Sequence, residues 1–302
     1  MNFWESLKKP VLVLAPMDGV TDTVFRQTVM SVGAPDVLFT EFTAIDALVS
    51  AGKQKALGRL KFEQTEKPIV AQIWGSDPKK FYQAAKIISK LGFEGIDINM
   101  GCPVRDVIKT GACSALIKNP KLAKEIIEAT IKGANGLPVS VKTRIGFSKI
   151  ETENWVKTLL QTDIAALILH LRTAGEMSKV PAHWGEIEKA VKVRNKLGSG
   201  TLIIGNGDIK SLKEAKDKCQ KYQIDGIMIG TGIFENVWLF NEKADINKVT
   251  PKQKIDLLLK HLYLYQKTYG DGKHFQPLKK FIKCYVNNFK GASQIRERLM
   301  ET

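Results

Sequence analysis

The chain has no run of apolar residues near the roughly 20 that a bilayer-crossing helix needs, no low-complexity linker, and only four cysteines in 302 residues. The first absence argues against a helical membrane protein. Cys102, Cys113, Cys219 and Cys284 lie scattered, without the paired spacing of a metal-ligand set, so no metal is expected and reduced thiols are the default. The opening residues, Met1-Asn2-Phe3-Trp4-Glu5, lack the basic flank, apolar core and cleavage site of a signal peptide, and a cytoplasmic location is the expectation. Acidic residues are scarce as well: 31 Asp and Glu stand against 46 Lys and Arg, a net charge of +15. Such an excess is unusual for an enzyme of small neutral metabolites and points to a polyanionic partner, with a lysine-rich proteome as the bland alternative.

What is present is a series of eight short apolar runs that each end in small or polar residues. They are Val11 to Ala15, Val37 to Thr40, Ile69 to Ile73, Gly95 to Asn99, Val139 to Lys142, Ala166 to His170, Leu202 to Gly205 and Gly226 to Gly230. Between most of them lie stretches of helical period. The clearest opens at Ser76-Asp77-Pro78 and stops at Gly92, with a cap, a first-turn proline and a terminating glycine. Asn119-Pro120 to Gly133 repeats the device. Continuously apolar strands alternating with helices over roughly 240 residues predict an α/β fold of the (β/α)8 TIM-barrel type rather than an open doubly wound sheet.

After the last barrel element the pattern changes. Residues 241–302 hold 13 Lys and Arg against 6 Asp and Glu, which places +7 of the net charge in a fifth of the length. Amphipathic sets such as Ile255-Leu258-Leu259-Leu262 and Phe281-Tyr285-Phe289 predict a C-terminal all-helical domain. The expected division is a barrel over 1–244 and a basic helical unit over 245–302. Of the tail aromatics Tyr263, Tyr265, Tyr269, Phe275, Phe281, Tyr285 and Phe289, most are expected in the core, with one or two left to stack on bases. Lys279, Lys280, Lys283, Lys290, Arg296 and Arg298 would meet phosphates, a salt-sensitive and largely sequence-independent attraction.

In a (β/α)8 barrel the loops after the strands share one face, so polar strand ends converge whatever their separation in sequence. Pro16-Met17, Gln72, Asn99 to Cys102, Lys142 to Arg144, His170 to Arg172, Asn206-Gly207-Asp208 and Gly230-Thr231 therefore form one ring. Cys102, between Gly101 and Pro103 beyond a strand end, stands out from the other three cysteines, which are assigned to packing.

Six pieces in order carry a resemblance. They are Ala15-Pro16-Met17-Asp18-Gly19-Val20-Thr21-Asp22, Asn99-Met100-Gly101-Cys102-Pro103, Val141-Lys142-Thr143-Arg144, His170 with Arg172-Thr173, Asn206-Gly207-Asp208, and the tail from Leu278 to Leu299. With them the chain resembles the tRNA-dihydrouridine synthases, flavin enzymes that reduce uridine in RNA. The resemblance implies FMN, with Pro16, Met17 and Asp18 against the isoalloxazine and Gln72 at its pyrimidine end. It also implies Lys142 and His170 on the side that becomes negative on reduction, where a fixed cation or donor is stabilising. The phosphate would lie over Asn206-Gly207-Asp208 and Gly230-Thr231, whose glycines let backbone N–H groups approach. NADPH or NADH is the implied reductant, and no nicotinamide fingerprint is expected, because reductant and RNA can use the flavin face in turn.

The chemistry explains the thiol. Hydride added at C6 of uracil leaves an enolate that needs a proton at C5. A thiol of pKa about 8.5 is mostly protonated at neutral pH yet donates readily. Cys102 is therefore the implied general acid, while Asn99 and Arg144 would hold the uracil. The implied substrate is tRNA, other structured RNA being left open, with the target uridine flipped out. No membrane association and no obligate protein partner are expected.

Four positions depart from the family pattern. Thr231 stands where arginine usually follows glycine, Leu171 where glycine separates His170 and Arg172, Cys113 at a common glycine, and His183 in place of the aspartate before Trp184. Two rivals share part of the pattern: an FMN barrel acting on a free pyrimidine or small enone, and an RNA-binding protein that has lost redox function.

Overall fold

In the computed structural model, which describes residues 2–270 and 274–301, all strands pair in parallel. They are β1 (Val11–Leu14), β2 (Leu38–Phe39), β3 (Thr43–Ala44), β4 (Ile69–Trp74), β5 (Gly95–Met100), β6 (Val139–Arg144), β7 (Ala166–His170), β8 (Leu202–Asn206) and β9 (Gly226–Ile229). The sheet runs β1-β9-β8-β7-β6-β5-β4-β2. It closes where Leu14 N donates to Val37 O at 3.1 Å. All eight expected strands are present, and the fold is a (β/α)8 barrel with a helical C-terminal region. The short β3, which pairs with Ile73–Trp74, is an addition that no periodicity announced.

Alternation along the strands explains the two cores. Successive side chains point to opposite faces. Leu12, Leu14, Ile96, Ile98, Leu167 and Leu169 therefore face the helices, whereas Val11, Val13, Val70, Ile168, Ile204 and Met228 fill the barrel. Trp4, from the short helix Phe3–Ser6, plugs that interior beside Phe39, with ring centroids 6.5 Å apart. The inner positions of β5 and β6 break the apolar rule: Asp97, Asn99, Ser140 and Lys142 occupy them, and polarity begins where the apolar filling ends.

The helix Pro78–Ile88 starts as its sequence predicts, with Asp77 Oδ1 accepting from Lys79 N at 2.8 Å. The helix Pro120–Gly133 differs at its end. Gly133 lies inside it, and the left-handed residues that turn the chain are Asn135 and Gly136, at φ 52° and 88°. Gly133 serves close packing instead: a β-carbon there would lie 2.3 Å from Tyr82 O and 3.0 Å from Ala85 Cβ, on the helix Pro78–Ile88. Gly133→Ala is accordingly expected to cost about 1–3 kcal/mol by overpacking. Urea unfolding of the variant checks this, and an unchanged midpoint would count against it.

The tail packs on the helix Thr23–Met30. Phe281 stacks on Phe25 at 5.0 Å between centroids, and His261 meets Phe281 edge-on, also at 5.0 Å. Tyr269 donates to Asp22 Oδ2 at 3.0 Å, and Lys280 donates to the Gly19 carbonyl. The face of helix Pro251–Tyr269 that is buried runs through Leu257, Leu258, His261 and Tyr265, while Leu259, expected on it, is exposed. Phe281 and Tyr285 are core residues, and Phe289 lies beyond the helix Ile282–Tyr285 rather than on a continuous face with them.

Candidate active site at the barrel mouth

The ladder sets the ring. Gln72 is level with Asp97, Asn99 with Lys142, Arg144 with His170, and His170 with Asn206. Residues from five strands thus meet at the C-terminal mouth, the face where barrels of this kind carry their sites.

Asn99 is the hub. Its Nδ2 donates to Gln72 Oε1 at 3.0 Å, while its Oδ1 accepts the N–H groups of Gly101 and Cys102, each at 3.0 Å. A side-chain oxygen mimicking a backbone turn in this way fixes the loop that carries Cys102. Gln72 is fully buried and in turn donates to Asp97 Oδ2 at 2.7 Å, and the Ser140 hydroxyl donates to Asp97 Oδ1 at 2.6 Å. Burial pushes Asp97 up to about 6, opposed by these two hydrogen bonds and by the Lys142 charge. Lys142 is drawn down to about 8 by burial first and then by Arg144. Burial, followed by the charges of Lys142, Arg144 and Arg172, takes His170 down to about 2, so its imidazole is neutral. The ring thus sets cations, Lys142 among them, beside a neutral donor or acceptor, His170.

Cys102 differs from its expected state. The thiol falls to about 6 because the Cys113 S–H donates to its sulfur, with the Val104 N–H and the Arg144 charge helping and burial and Asp18 opposing. The unliganded site therefore favours thiolate at neutral pH. Cys113 is displaced the other way, chiefly by burial. It is a neighbour of Cys102, which corrects its assignment to packing alone.

Two further expectations meet competing partners. The Arg144 guanidinium reaches the carbonyls of Gly101, Thr173 and Met177 at 2.8, 2.9 and 2.8 Å, so that it ties three loops together. Asp208 is gripped by Arg172, whose Nη2 lies 2.6 Å from each carboxylate oxygen, and this holds its carboxyl below the usual range despite partial burial. Asn206 donates to Met228 O at 2.8 Å.

The loops after β1, β8 and β9 supply a cradle. Gly207 has φ 135°, and a β-carbon there would lie 2.8 Å from Ala182 Cβ. One on Gly230 would come within 4.0 Å of Met17 Sδ, so the loop carrying Pro16 and Met17 adjoins Gly230 and Thr231. Asp18 turns away from this cradle. It pairs with Arg59 and, with Cys102, Phe42, Trp74 and Val104, walls a cavity of about 550 Å³. Phe42 and Trp74 meet edge to face at 6.3 Å.

Sequence reasoning missed Asp97, Arg59, Trp74 and Phe42. Asp97 was within reach, since it lies two residues before Asn99 and so shares its face of the strand. Arg59, Trp74 and Phe42 come together only through the packing of the β2 to β4 loops, which no spacing reveals.

Comparison with known proteins adds the decisive observation: the family model for dihydrouridine synthase matches residues 13–302. The chain belongs to the dihydrouridine synthase family. A probable tRNA-dihydrouridine synthase of Staphylococcus aureus (strain COL) is 46% identical over 304 residues, covering 100% of this chain and 92% of the relative. Probable tRNA-dihydrouridine synthase 2 of Bacillus subtilis (strain 168) is 44% identical, with the same coverage. Among solved structures, morphinone reductase in complex with tetrahydroNAD has a TM-score of 0.55 at 13% identity, over 80% of this chain and 89% of that one. An old yellow enzyme homologue from Zymomonas mobilis gives 0.53 at 16% identity, over 80% and 91%. These two likenesses concern the fold. The dihydrouridine synthases are an enzyme family of flavin oxidoreductases.

Two departures from the dihydrouridine synthase pattern are accommodated without disturbing the ring. Leu171 is fully buried, donates its N–H to Asn206 O at 3.1 Å and accepts from His183 N at 2.7 Å, so His170 and Arg172 stay in place around it. His183 Nε2 lies 2.9 Å from Glu176 Oε1, in the loop that Arg144 also holds.

Proposed function

We propose that the protein reduces specific uridines of tRNA to 5,6-dihydrouridine, with FMN as cofactor, NADPH or NADH as reductant and the cytoplasm as its place of action. The observation that carries this reading is the Cys102 thiol, on a loop held by Asn99 near Lys142 and neutral His170 and opening onto a cavity of about 550 Å³, large enough for a splayed nucleotide. The names of the Staphylococcus aureus and Bacillus subtilis relatives support tRNA as substrate.

The residues present fit FMN. The Gly230 backbone adjoins the soft apolar surface of Met17, and Gly207, at φ 135° with no room for a side chain against Ala182, turns the chain beside His170, so both loops present bare backbone N–H groups. Pro16, Met17, Gln72, Lys142, His170, Asn206, Gly207, Gly230 and Thr231 would hold it. Asp208 would act through Arg172, and Asp18 would border the substrate side. Bound there, FMN supplies the hydride that adds to uracil C6.

The chain's own residues do the rest. Cys102 Sγ–H gives its proton to C5 as the enolate collapses to the carbonyl. Asn99 and Arg144 position the uracil with the donors not committed to Gln72 and the loop carbonyls. Lys142 holds a positive charge where negative charge develops.

The unit 245–302 grips the folded RNA and offsets the few kcal/mol needed to splay out the target. Tyr263 and Phe275, 67% and 47% exposed, are the tail aromatics placed to stack on bases. Among the described residues no helix is long and apolar enough to cross a membrane.

The test is nucleoside mass spectrometry of tRNA from a strain lacking the gene, before and after incubation with the purified protein, FMN and NADPH. Dihydrouridine should appear. FMN-bound protein that leaves the RNA unchanged while reducing a small enone would replace this reading with that of a small-molecule reductase.

A further inference from the structure

Cys102 and Cys113 are set up asymmetrically. The Cys102 carbonyl accepts both the hydroxyl and the N–H of Ser114, at 2.9 and 3.4 Å, which brings residue 113 directly across from residue 102. The two thiols lie close enough that each displaces the other's titration, Cys102 downward and Cys113 upward. Cys102 is half-buried and opens onto the 550 Å³ cavity, whereas Cys113 is fully buried behind it. Cys113 has φ 53°, a left-handed conformation that glycine takes without strain, yet here it carries a thiol. Cys219 and Cys284 are also buried, and among the described residues no second thiol acts on either. An accessible sulfur with thiolate character, backed by a second thiol, is the arrangement of an attacking and a resolving cysteine.

We infer that Cys102 and Cys113 form a reversible intramolecular disulfide under peroxide stress, which removes the Cys102 proton from the site and arrests the enzyme. The oxidant is hydrogen peroxide. The Cys102 thiolate attacks one peroxide oxygen, the O–O bond breaks, and with one proton the products are a sulfenic acid and water. The Cys113 sulfur then attacks the Cys102 sulfur, the S–O bond breaks, and the Cys113 proton leaves with hydroxide as a second water. Two thiols and one peroxide give one disulfide and two waters. A dithiol reductant reverses the change by exchange, itself becoming a disulfide. Because the resolving thiol is already in contact, Cys102 is diverted from irreversible oxidation to sulfinic acid.

The arrest of turnover rests on the reading of Cys102 as proton donor, whereas the disulfide does not. The full-length protein is exposed to a slight excess of hydrogen peroxide, unfolded, alkylated and digested for peptide mass spectrometry. The expected product is a peptide pair linked through Cys102 and Cys113, with Cys219 and Cys284 alkylated. Turnover on tRNA should fall in step with the linked fraction and return with dithiothreitol. Cys113→Ala, compared with its own reduced activity, should instead accumulate sulfinic acid at Cys102 and stay inactive.

A second measurement follows alkylation of Cys102 by iodoacetamide against pH. The inflection should lie near 6 and move upward in Cys113→Ala, because the donor to the thiolate is gone. Sulfinic acid at Cys102 in the unsubstituted protein, or separate alkylation of both cysteines after peroxide, would overturn the proposal. So would a linked protein that keeps its turnover. A linked product from a protein that makes no dihydrouridine even when reduced would uphold the disulfide and remove the functional reading.

Discussion

Cys102→Ala should lower the single-turnover rate of uridine reduction by about 10²–10⁴-fold, the range over which a positioned general acid contributes. Flavin affinity and tRNA affinity should stay within a few-fold. The separation follows from placement: Cys102 faces the cavity beside Asp18 and Val104, while the glycine cradle lies across the mouth at Gly207 and Gly230. Asn99 holds the Cys102 N–H, which alanine retains, so the loop itself survives. The pH profile gives a second readout. An acid must carry its proton, so the rate of the reductive step should be highest at low pH and decline through the Cys102 pKa. That pKa lies near 6 in the unliganded site. The phosphates of bound RNA disfavour the thiolate, and the inflection in the complex should therefore lie above it. Rapid mixing of pre-reduced enzyme with tRNA checks both points, and an alanine variant within threefold of the parent rate would remove Cys102 from the proton-donor role.

How much of this was legible in the sequence depended on what kind of rule governed each residue. Strand ends in a closed parallel barrel must converge, so Gln72, Asn99, Lys142, His170 and Asn206 could be placed together from spacing and apolar runs alone. The structure brings them into adjacent register. Which atoms they present to one another obeyed no such rule. Arg144 offers donors in the right neighbourhood, but three carbonyls 43, 29 and 33 residues away from it, in the loops after β5 and β7, already claim them. Asp208 meets Arg172, a pairing set by how the β7 and β8 loops fold. Cys113 carried the only warning of its role in a negative sense, as a side chain at a position that suits glycine. Gly133 shows the reverse case: a glycine read as a stop signal is there because Tyr82 and Ala85 leave no room for a β-carbon. In the tail, seven aromatics at helical spacing could not be sorted by period alone. Tertiary packing decided it: Phe281 is buried against Phe25, and Tyr285 against His261.

The second large effect concerns the floor beneath the β1 loop. Arg26 and Glu66 are both fully buried, with Nε to Oε2 at 2.5 Å. Arg26 also donates to Thr21 O at 2.6 Å and Lys61 O at 2.8 Å, while Glu66 accepts from the Thr23 hydroxyl and from Glu63 N at 2.9 Å. The cluster therefore ties the segment after Met17 to the turn Gln64–Glu66 and seats the helix Thr23–Met30, whose Phe25 receives the C-terminal region. Arg26→Ala strands a carboxylate and removes two carbonyl partners, and it should destabilise the protein by ~3–5 kcal/mol. Replacing both charges together, in Arg26→Met with Glu66→Leu, leaves no orphaned ion and should recover most of that loss, since a hydrophobic pair of similar volume avoids the desolvation cost. Urea unfolding followed by tryptophan fluorescence gives the comparison. If the double variant were no more stable than Arg26→Ala, the loss would belong to the carbonyl bonds to Thr21 and Lys61, and the ion pair would not be what seats the loop.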